Sequence, residues 1–216
     1  MNYTTYLFDF DYTLADSSRG IVTCFRNVLN RHGYTHPTDN DIKRTIGKTL
    51  EESFSILSGV TDTRQLAEFK KEYIKEADTH MTVNTVLFLE TKSVLAALKD
   101  SGARIGIIST KFRYRILDLF EKTGYDGLVD FIVGGEDVKA AKPDPEGVLL
   151  AIGRASGGGK SEVLYVGDSV VDAATAQAAG TDFAGVLHGM TTREELEVYP
   201  HVAIVDDLRG ILSVPV

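Results

Sequence analysis

Apolar residues recur along the chain in short continuous runs, and stretches with helical spacing separate most of these runs. The apolar runs predict buried strands, because continuous apolarity is typical of parallel strands that are covered on both faces. The predicted strands are residues 5–10, 104–110, 131–135, 163–168, 184–189 and, as a short sixth strand, 201–207. Most of the helical patterns between them end at a glycine. This alternation predicts an α/β protein with a Rossmann-like, doubly wound parallel sheet.

One region interrupts the alternation directly after the first strand. Residues 17–82 contain no convincing strand pattern, and apolar residues recur at helical spacing throughout them. Roughly 65 helical residues are too many for an ordinary strand-to-strand connection. The pattern therefore predicts a Rossmann-like core domain of residues 1–16 and 83–216, with residues 17–82 inserted as a helical cap domain.

Composition excludes several classes of protein. An apolar fraction of 43% over 216 residues is enough for a sizeable core, and a net charge of −8 argues against nucleic acid as a partner. The single cysteine, Cys24, excludes an intrachain disulfide, which fits a reducing compartment. No apolar run is long enough to span a membrane, and the N-terminal segment lacks the features of a signal peptide. We expect a cytoplasmic protein with no membrane partner, either a monomer or a homodimer.

Polar side chains follow the predicted strands where ligands bind in open α/β sheets, beyond the carboxyl ends of the strands. They are Asp9 and Asp11 after the first strand, Ser109 and Thr110 after the second, Asp168 and Asp172 after the fourth, and Lys142 in a loop. If the sheet forms as predicted, these side chains converge on one crevice.

Three carboxylates in one crevice require a cation. Two carboxylates about 4 Å apart repel by roughly 4 kcal/mol at an effective dielectric near 20. Hard oxygen ligands favour Mg²⁺, which often also takes a phosphate oxygen of the substrate. With Lys142 and hydroxyl donors added, the predicted site suits a phosphoryl group, and the predicted partner is a small phosphorylated metabolite.

The spacing of Asp9 and Asp11 suits covalent phosphoryl transfer. In an extended chain, residues two apart lie on the same side, so one acid can attack phosphorus while its neighbour protonates the leaving oxygen. Each feature alone also has an ordinary structural explanation. Asp168 is a candidate helix cap, and Lys142 a candidate surface charge. The combination in this order is what favours a functional site.

Four motifs in this order resemble those of the haloacid dehalogenase superfamily, in particular its phosphoglycolate-phosphatase-like and β-phosphoglucomutase-like members. They are DFDYTLADS (9–17), STK (109–111), KPDP (142–145) and GDSVVD (167–172). The resemblance covers nearly the whole chain. It implies a phosphoric monoester hydrolase that uses Mg²⁺ and an aspartyl-phosphate intermediate.

The resemblance also implies roles for the acids. Asp9 would be the nucleophile and a metal ligand, and Asp11 the general acid and base, with its backbone carbonyl on the metal. Asp168 would be a direct metal ligand. Asp172 would orient Lys142 or a metal-bound water.

The remaining motif residues would serve the phosphoryl group. Ser109, Thr110 and Lys142 would bind it, with Lys142 acting in catalysis, and Thr13 would brace the loop after the nucleophile. The chain departs from the family pattern at Tyr12, where glycine is usual, so this turn must accept a side chain.

The predicted cap would select the substrate. The segment RTIGKTLEESF (44–54) resembles the family's cap loop, in which Gly47 would allow close backbone approach, and Arg44 and Lys48 would reach an acidic group. The alternative is that both cations are ordinary surface charges. A phosphoglycolate-like ester is plausible, while sugar phosphates, nucleoside monophosphates and pyrophosphate remain open.

Two other functions remain open from the sequence. A phosphosugar mutase on the same scaffold would return the phosphoryl group to a sugar instead of to water. A receiver-like switch, which is not an enzyme, also combines acids, a hydroxyl and a lysine, but typically without a helical insertion of this length.

Overall fold

The structure is a computed structural model that describes residues 3–125, 127–155 and 159–214. Its strands and helices are, in chain order, β1 (Thr5–Phe8), β2 (Ala15–Asp16), α1 (Ser18–Arg31), α2 (Asp39–Lys43), α3 (Leu50–Ser58), α4 (Thr63–His80), β3 (Val86–Leu87), α5 (Thr91–Asp100), β4 (Arg104–Ile108), α6 (Arg113–Thr123), β5 (Phe131–Val133), α7 (Glu146–Ala155), β6 (Val163–Gly167), α8 (Val170–Ala179), β7 (Asp182–Val186), α9 (Arg193–Glu197) and β8 (Ala203–Val205). Short 3₁₀ helices cover Thr82–Asn84, Lys160–Glu162 and Leu208–Ser213.

Six parallel strands form the main sheet in the order β5-β4-β1-β6-β7-β8. Phe8 of β1 pairs with Ile107 of β4 on one side and with Val166 of β6 on the other. The carboxyl ends of these three strands therefore lie at the same edge of the sheet. The short strands β2 and β3 pair separately.

Helices cover both faces of the main sheet. Phe8 packs in one apolar core with residues of α5 and α6, such as Leu95 and Ile116. The next residue back along the strand, Leu7, packs in a second core with residues of α7 and α8, such as Ala173. Alternating side chains thus meet two helical layers, and the predicted doubly wound α/β fold is confirmed.

The six predicted strands all form, and each is shorter than predicted. The predicted strand at 184–189 begins earlier and ends earlier, at Asp182–Val186. Residues 187–189 form a turn beyond the end of the strand, and only Leu187 still donates its N–H to Val205 O of β8, at 3.0 Å.

The chain divides into two compact units, residues 1–15 with 87–216 and residues Asp16–Val86. The structure describes both units over the residue ranges given above. Helices α1–α4 form the second unit around aromatic side chains. Phe25 lies 4.7 Å from both Phe54 and Tyr73 between ring centres, and Phe54 lies 5.3 Å from Phe69.

The second unit extends four residues beyond the predicted boundary at 82. The reason is local, because the 3₁₀ helix at Thr82–Asn84 continues from the end of α4. Thr85 Oγ1 then donates to Met81 O at 2.8 Å. Whether this unit acts as a cap stays a prediction. Within the described residues, no helix has the length and apolarity that crossing a membrane requires.

Candidate active site

The loop after β1 carries the first two carboxylates. Phe10 is fully buried in the core, so alternation directs Asp9 and Asp11 to the opposite side of the chain. The chain then turns back on itself, because the N–H groups of Leu14 and Ala15 donate to Phe10 O at 2.9 and 3.1 Å. Both carboxylates are nearly inaccessible, at 3% exposure for Asp9 and 8% for Asp11.

Tyr12 adopts a left-handed backbone conformation in this turn, with φ of 61°. Its N–H donates to Ala15 O at 2.7 Å, which closes the turn. For a residue with a Cβ atom this conformation costs roughly 1–2 kcal/mol. The chain accepts that strain at the position where the family pattern has glycine.

Lys142 joins two of the predicted acids. Its ammonium donates to Asp9 Oδ1 at 2.8 Å, to Asp172 Oδ1 at 2.6 Å and to the Tyr165 hydroxyl at 3.3 Å. Lys142 is 8% exposed, whereas Asp172 and Tyr165 are fully buried. Charged hydrogen bonds in such surroundings are strong, because little water competes for the donors.

The local fold explains why Asp172 and Tyr165 meet. Tyr165 lies in β6 with its side chain in the core that α7 and α8 cover. Asp172 lies in the first turn of α8, where it completes a capping box with Ser169. The Tyr165 hydroxyl donates to Asp172 Oδ1 at 2.9 Å. One carboxylate therefore caps α8 and also accepts from the lysine and the tyrosine.

Asp168 follows β6 directly and completes the group of acids. Thr13 Oγ1 donates to Asp168 Oδ1 at 3.4 Å. Carboxylate oxygens of Asp9, Asp168 and Asp172 lie within 4.8 Å of one another. The structure thus brings together acids that are 163 residues apart in the chain.

The pKa values of this group shift as burial and charge require. Burial raises the pKa of the Asp9 carboxyl to about 7, and Asp172 and Asp11 add to the shift although Lys142 opposes it. Burial, Asp172 and Asp9 raise the pKa of Asp168 well above its usual range. Burial alone would lower the pKa of Lys142, but Asp172 and Asp9 outweigh it and raise that pKa well above its usual value. The single positive charge of Lys142 is therefore not enough to neutralise the three carboxylates of Asp9, Asp168 and Asp172.

The loop after β4 brings Ser109 and a second lysine to the site. Ser109 is 6% exposed, and its hydroxyl accepts from the backbone N–H of Lys111 at 3.1 Å. The Lys111 ammonium lies 3.1 Å from Asp11 Oδ1, and its side chain is only 7% exposed. This contact is an ion pair without a well-aligned hydrogen bond, since no described group donates with good geometry to Asp11 Oδ1.

Thr110 contributes its backbone to the packing of this loop. A Cβ atom at Gly135 would lie 2.5 Å from Thr110 O, and Gly135 N–H donates to Lys111 O at 3.2 Å. The glycine lets the segment after β5 support the loop that carries Ser109 and Lys111.

A family model described as haloacid dehalogenase-like hydrolase matches residues 6–186. The chain belongs to this hydrolase family. The family resemblance predicted from the motifs is therefore confirmed.

Known proteins resemble this haloacid dehalogenase-like hydrolase over nearly their full length. Pyrophosphatase PpaX of Bacillus pumilus is 31% identical over 193 residues, which cover 89% of this chain and 87% of that protein. The phosphoglycolate phosphatase of Photorhabdus laumondii is 29% identical over 210 residues, which cover 95% of this chain and 89% of that protein. A solved structure of a haloacid dehalogenase-like hydrolase from Bacteroides fragilis is 61% identical, with a TM-score of 0.95, and covers 97% of this chain and 100% of that one. These relatives confirm the predicted enzyme class at the level of a phosphatase of this family.

The acidic group of this haloacid dehalogenase-like hydrolase fits a divalent cation. Oxygens that bind one Mg²⁺ ion lie up to about 4 Å apart. The oxygens of the three carboxylates lie within 4.8 Å of one another, so a small adjustment of their side chains would bring them to that spacing. The oxygens of Asp172 already accept from Lys142, Tyr165 and Ser169. Asp9 and Asp168 are therefore the carboxylates best suited to bind the ion.

The three residues predicted in the cap loop lie in the other unit of the chain. Arg44 is exposed and is the C-cap residue directly after α2. Gly47 has a φ of 96° in the turn before α3. Lys48 pairs with Glu52 at 2.6 Å across one helical turn. Their contact with a substrate stays a prediction.

Sequence reasoning overlooked two residues of this haloacid dehalogenase-like hydrolase that contact the predicted acids. Lys111 was visible as the last letter of the STK motif, but nothing in the sequence distinguishes it from a surface lysine. Tyr165 occurs within an apolar strand, where a tyrosine is an ordinary core residue. Asp11 is distant from Lys111 in the chain, whereas Asp172 follows Tyr165 by only seven residues but lies in the next helix.

Proposed function

We propose that this protein is a Mg²⁺-dependent phosphatase that hydrolyses a small phosphate monoester, such as phosphoglycolate, through an aspartyl-phosphate on Asp9. The observation that supports this most directly is the position of Asp9. Its carboxylate receives a hydrogen bond from Lys142 and shares a buried acidic group with Asp168. That is the environment expected for a carboxylate that must meet an anionic phosphoryl group.

In the first step, an oxygen of the Asp9 carboxylate attacks phosphorus. The bond between phosphorus and the ester oxygen breaks, and Asp11 gives its proton to that leaving oxygen. Ser109, Thr110 and Lys142 bind the phosphoryl oxygens. The products of the step are an alcohol and phospho-Asp9.

In the second step, water attacks the phosphorus of phospho-Asp9, and Asp11 takes the proton of that water. Inorganic phosphate leaves, and both aspartates return to their starting states. Asp9, Asp168 and the Asp11 backbone carbonyl would hold Mg²⁺, which screens the acids from the phosphate and favours their ionised forms. Asp172 and Tyr165 keep Lys142 directed at Asp9, and Thr13 supports Asp168.

Inorganic pyrophosphate is the second candidate substrate. A pyrophosphatase and a phosphoglycolate phosphatase are similarly close relatives. In both substrates the leaving group carries an additional anionic group close to the P–O bond that breaks. Lys111, paired with Asp11 on the proposed leaving-group side, would favour such a group.

The helical unit would select among these substrates. We infer that Arg44 and Lys48, on either side of Gly47, contact the part of the substrate beyond its phosphoryl group. Membership of a hydrolase family favours transfer to water over transfer to a sugar. The phosphosugar mutase stays the alternative, and a cytoplasmic location stays a prediction.

The deciding experiment is a screen of the purified protein against small phosphate esters and pyrophosphate, ranked by kcat/KM, with Mg²⁺ present. Asp9→Asn should abolish turnover of every substrate while the unfolding temperature stays close to that of the wild type. Asp100→Asn, which changes an exposed acid at the end of α5, serves as the matched control and should retain full activity. Turnover by Asp9→Asn at the wild-type rate would exclude the covalent mechanism on this residue.

A further inference from the structure

Gly189 lies beside the Asp168 carboxylate, in the loop after β7. A Cβ atom at this position would lie 2.0 Å from Asp168 Oδ2 and 2.9 Å from Asp168 Cγ. Heavy atoms that are not bonded to each other prefer separations of roughly 3.5 Å or more, so a side chain fits here only if Asp168 moves. Gly189 does not have a positive φ. Glycine is therefore needed at this position because a side chain would not fit, and not because of the backbone conformation.

Asp168 cannot turn away from this loop without losing its place in the acidic group. Its Oδ1 accepts from Thr13 Oγ1 at 3.4 Å, and the residue is only 6% exposed. Rotation of the carboxylate would move both of its oxygens relative to Asp9. A residue larger than glycine at 189 would therefore change the geometry of the cation site.

The loop cannot easily retreat from Asp168 either, because the neighbouring His188 anchors it. One ring nitrogen, Nδ1, lies 3.3 Å from Thr13 O, and the other, Nε2, lies 3.0 Å from Glu90 Oε1. The imidazole also packs on Phe88, with 4.0 Å between ring centres. These three contacts fix His188, and they therefore limit how far the adjacent Gly189 can move away from Asp168.

Tyr12 makes the position more crowded. A Cβ atom at Gly189 would lie 3.3 Å from Tyr12 Cβ. That separation is tighter than ordinary van der Waals contact, so a side chain at 189 would also require Tyr12 to shift by a few tenths of an ångström.

We propose that Gly189 is a positioning residue for Asp168, which by lacking a side chain leaves the carboxylate free to bind the divalent cation. The inference rests on the proposed function only for the identity of that cation. Mutation of a residue that orients a metal ligand typically lowers metal affinity or activity by about 10- to 100-fold. A methyl group at 189 should act through Asp168 with a loss of this size.

The first test measures cation binding without substrate. Mg²⁺ is titrated calorimetrically into the wild type, Gly189→Ala and Gly153→Ala. Gly153 is the matched control, because a Cβ atom there meets nothing within 4 Å. Gly189→Ala should bind Mg²⁺ about 10- to 100-fold more weakly, and Gly153→Ala should bind it as the wild type does. Wild-type affinity in a folded Gly189→Ala protein would overturn the proposal.

The second test is a double-mutant cycle on metal-free protein. Thermal unfolding is compared for the wild type, Gly189→Ala, Asp168→Ala and the double variant. Gly189→Ala should lower the unfolding temperature in the wild-type background but not in the Asp168→Ala background, where the obstructing carboxylate is gone. An equal loss in both backgrounds would assign the effect to Tyr12 and overturn the proposal.

The cycle also covers a Gly189→Ala protein that does not fold. Recovery of folded protein in the double variant would then support the proposal, and failure of both would contradict it. Neither measurement depends on turnover, so a wrong assignment of the enzyme's substrate or mechanism would leave this result unaffected.

Discussion

Two lysines whose side chains are nearly inaccessible face different carboxylates of the same site. Lys142 donates to Asp9, whereas Lys111 lies 3.1 Å from Asp11. Because each amine faces a separate acid, we expect their removal to affect separate parts of the reaction. Lys142 is expected to serve the attacked phosphoryl group, and Lys111 the leaving group.

Replacement of Lys111 by methionine tests this division. Lys111→Met should lower kcat/KM by roughly 10- to 100-fold for substrates with an anionic leaving group, because a charge that stabilises that group is lost. The loss should be smaller for p-nitrophenyl phosphate, whose leaving group carries no additional anionic group. Steady-state kinetics on both substrates checks the difference.

Lys139→Met is the matched control, since Lys139 is exposed between β5 and α7. It should leave both activities unchanged. An equal loss on both substrates in Lys111→Met would contradict a role on the leaving-group side.

Tyr165 supports catalysis through Asp172 and Lys142. Tyr165→Phe removes a hydrogen bond to a buried carboxylate and should lower the free energy of unfolding by about 1–3 kcal/mol. It should also lower kcat several-fold with little change in KM, because Lys142 loses part of its support. Tyr3→Phe removes a similar 2.9 Å bond, to Asp182, and should reduce stability without reducing kcat. A wild-type kcat in Tyr165→Phe would show that Tyr165 contributes to packing and not to catalysis.

At the scale of elements, Asp130 connects β5 to the start of β4. Its carboxylate accepts from Ile105 N–H at 2.8 Å, from Lys99 at 2.7 Å and from Arg104 at 3.1 Å. Burial opposes ionisation, but the hydrogen bonds from Lys99 and Ile105 outweigh it and hold the Asp130 pKa below its usual 3.8. The parallel pairing at this edge of the sheet therefore depends on an ionised carboxylate.

This predicts a pH-dependent contribution to stability. Because the folded pKa lies below the unfolded one, the contribution is complete above about pH 4–5 and is lost as pH falls through the folded pKa. Asp130→Asn should lower the free energy of unfolding by about 1–3 kcal/mol at pH 7. Urea unfolding at pH 7, 5 and 3.5 should show the same difference from the wild type at the first two values and a smaller one at the third. If the difference in the free energy of unfolding between Asp130→Asn and the wild type grew towards low pH, it would contradict the prediction.

At the scale of the whole molecule, the site draws on distant parts of the chain. Asp9 precedes the helical unit, and Lys142, Asp168 and Asp172 follow it by more than 50 residues. The acids in this group destabilise one another, so a bound cation should stabilise the fold as well as support the reaction.

Metal removal tests this expectation in two independent ways. A chelator should stop phosphatase activity, and excess Mg²⁺ should restore it. Mg²⁺ should also raise the unfolding temperature, since a ligand at 100 times its Kd adds about 2.7 kcal/mol to the free energy of unfolding. Undiminished rates in the chelator would exclude the metal from the mechanism, whatever happens to stability.

Local pattern was enough to predict the sheet and the residues at its edge. Apolar runs placed all six strands, because strands buried on both faces require continuous apolarity. Their carboxyl ends then identified Asp9, Ser109 and Asp168 as candidates, since parallel strands end at one edge. The turn at Tyr12 also followed from sequence, but its left-handed backbone did not.

The sequence by itself determined the fold class, the family and the residue types at the candidate site, because these follow from local spacing and from motif order. Only the tertiary structure decided which of these side chains meet. Lys111 pairs with Asp11, Tyr165 donates to Asp172, and Gly189 leaves room for Asp168. Two of these contacts join loops that follow different strands, and the third, between Tyr165 and Asp172, joins β6 to α8 across seven residues. Their geometry depends on how strands, helices and loops pack against one another, and local sequence carries no record of that packing.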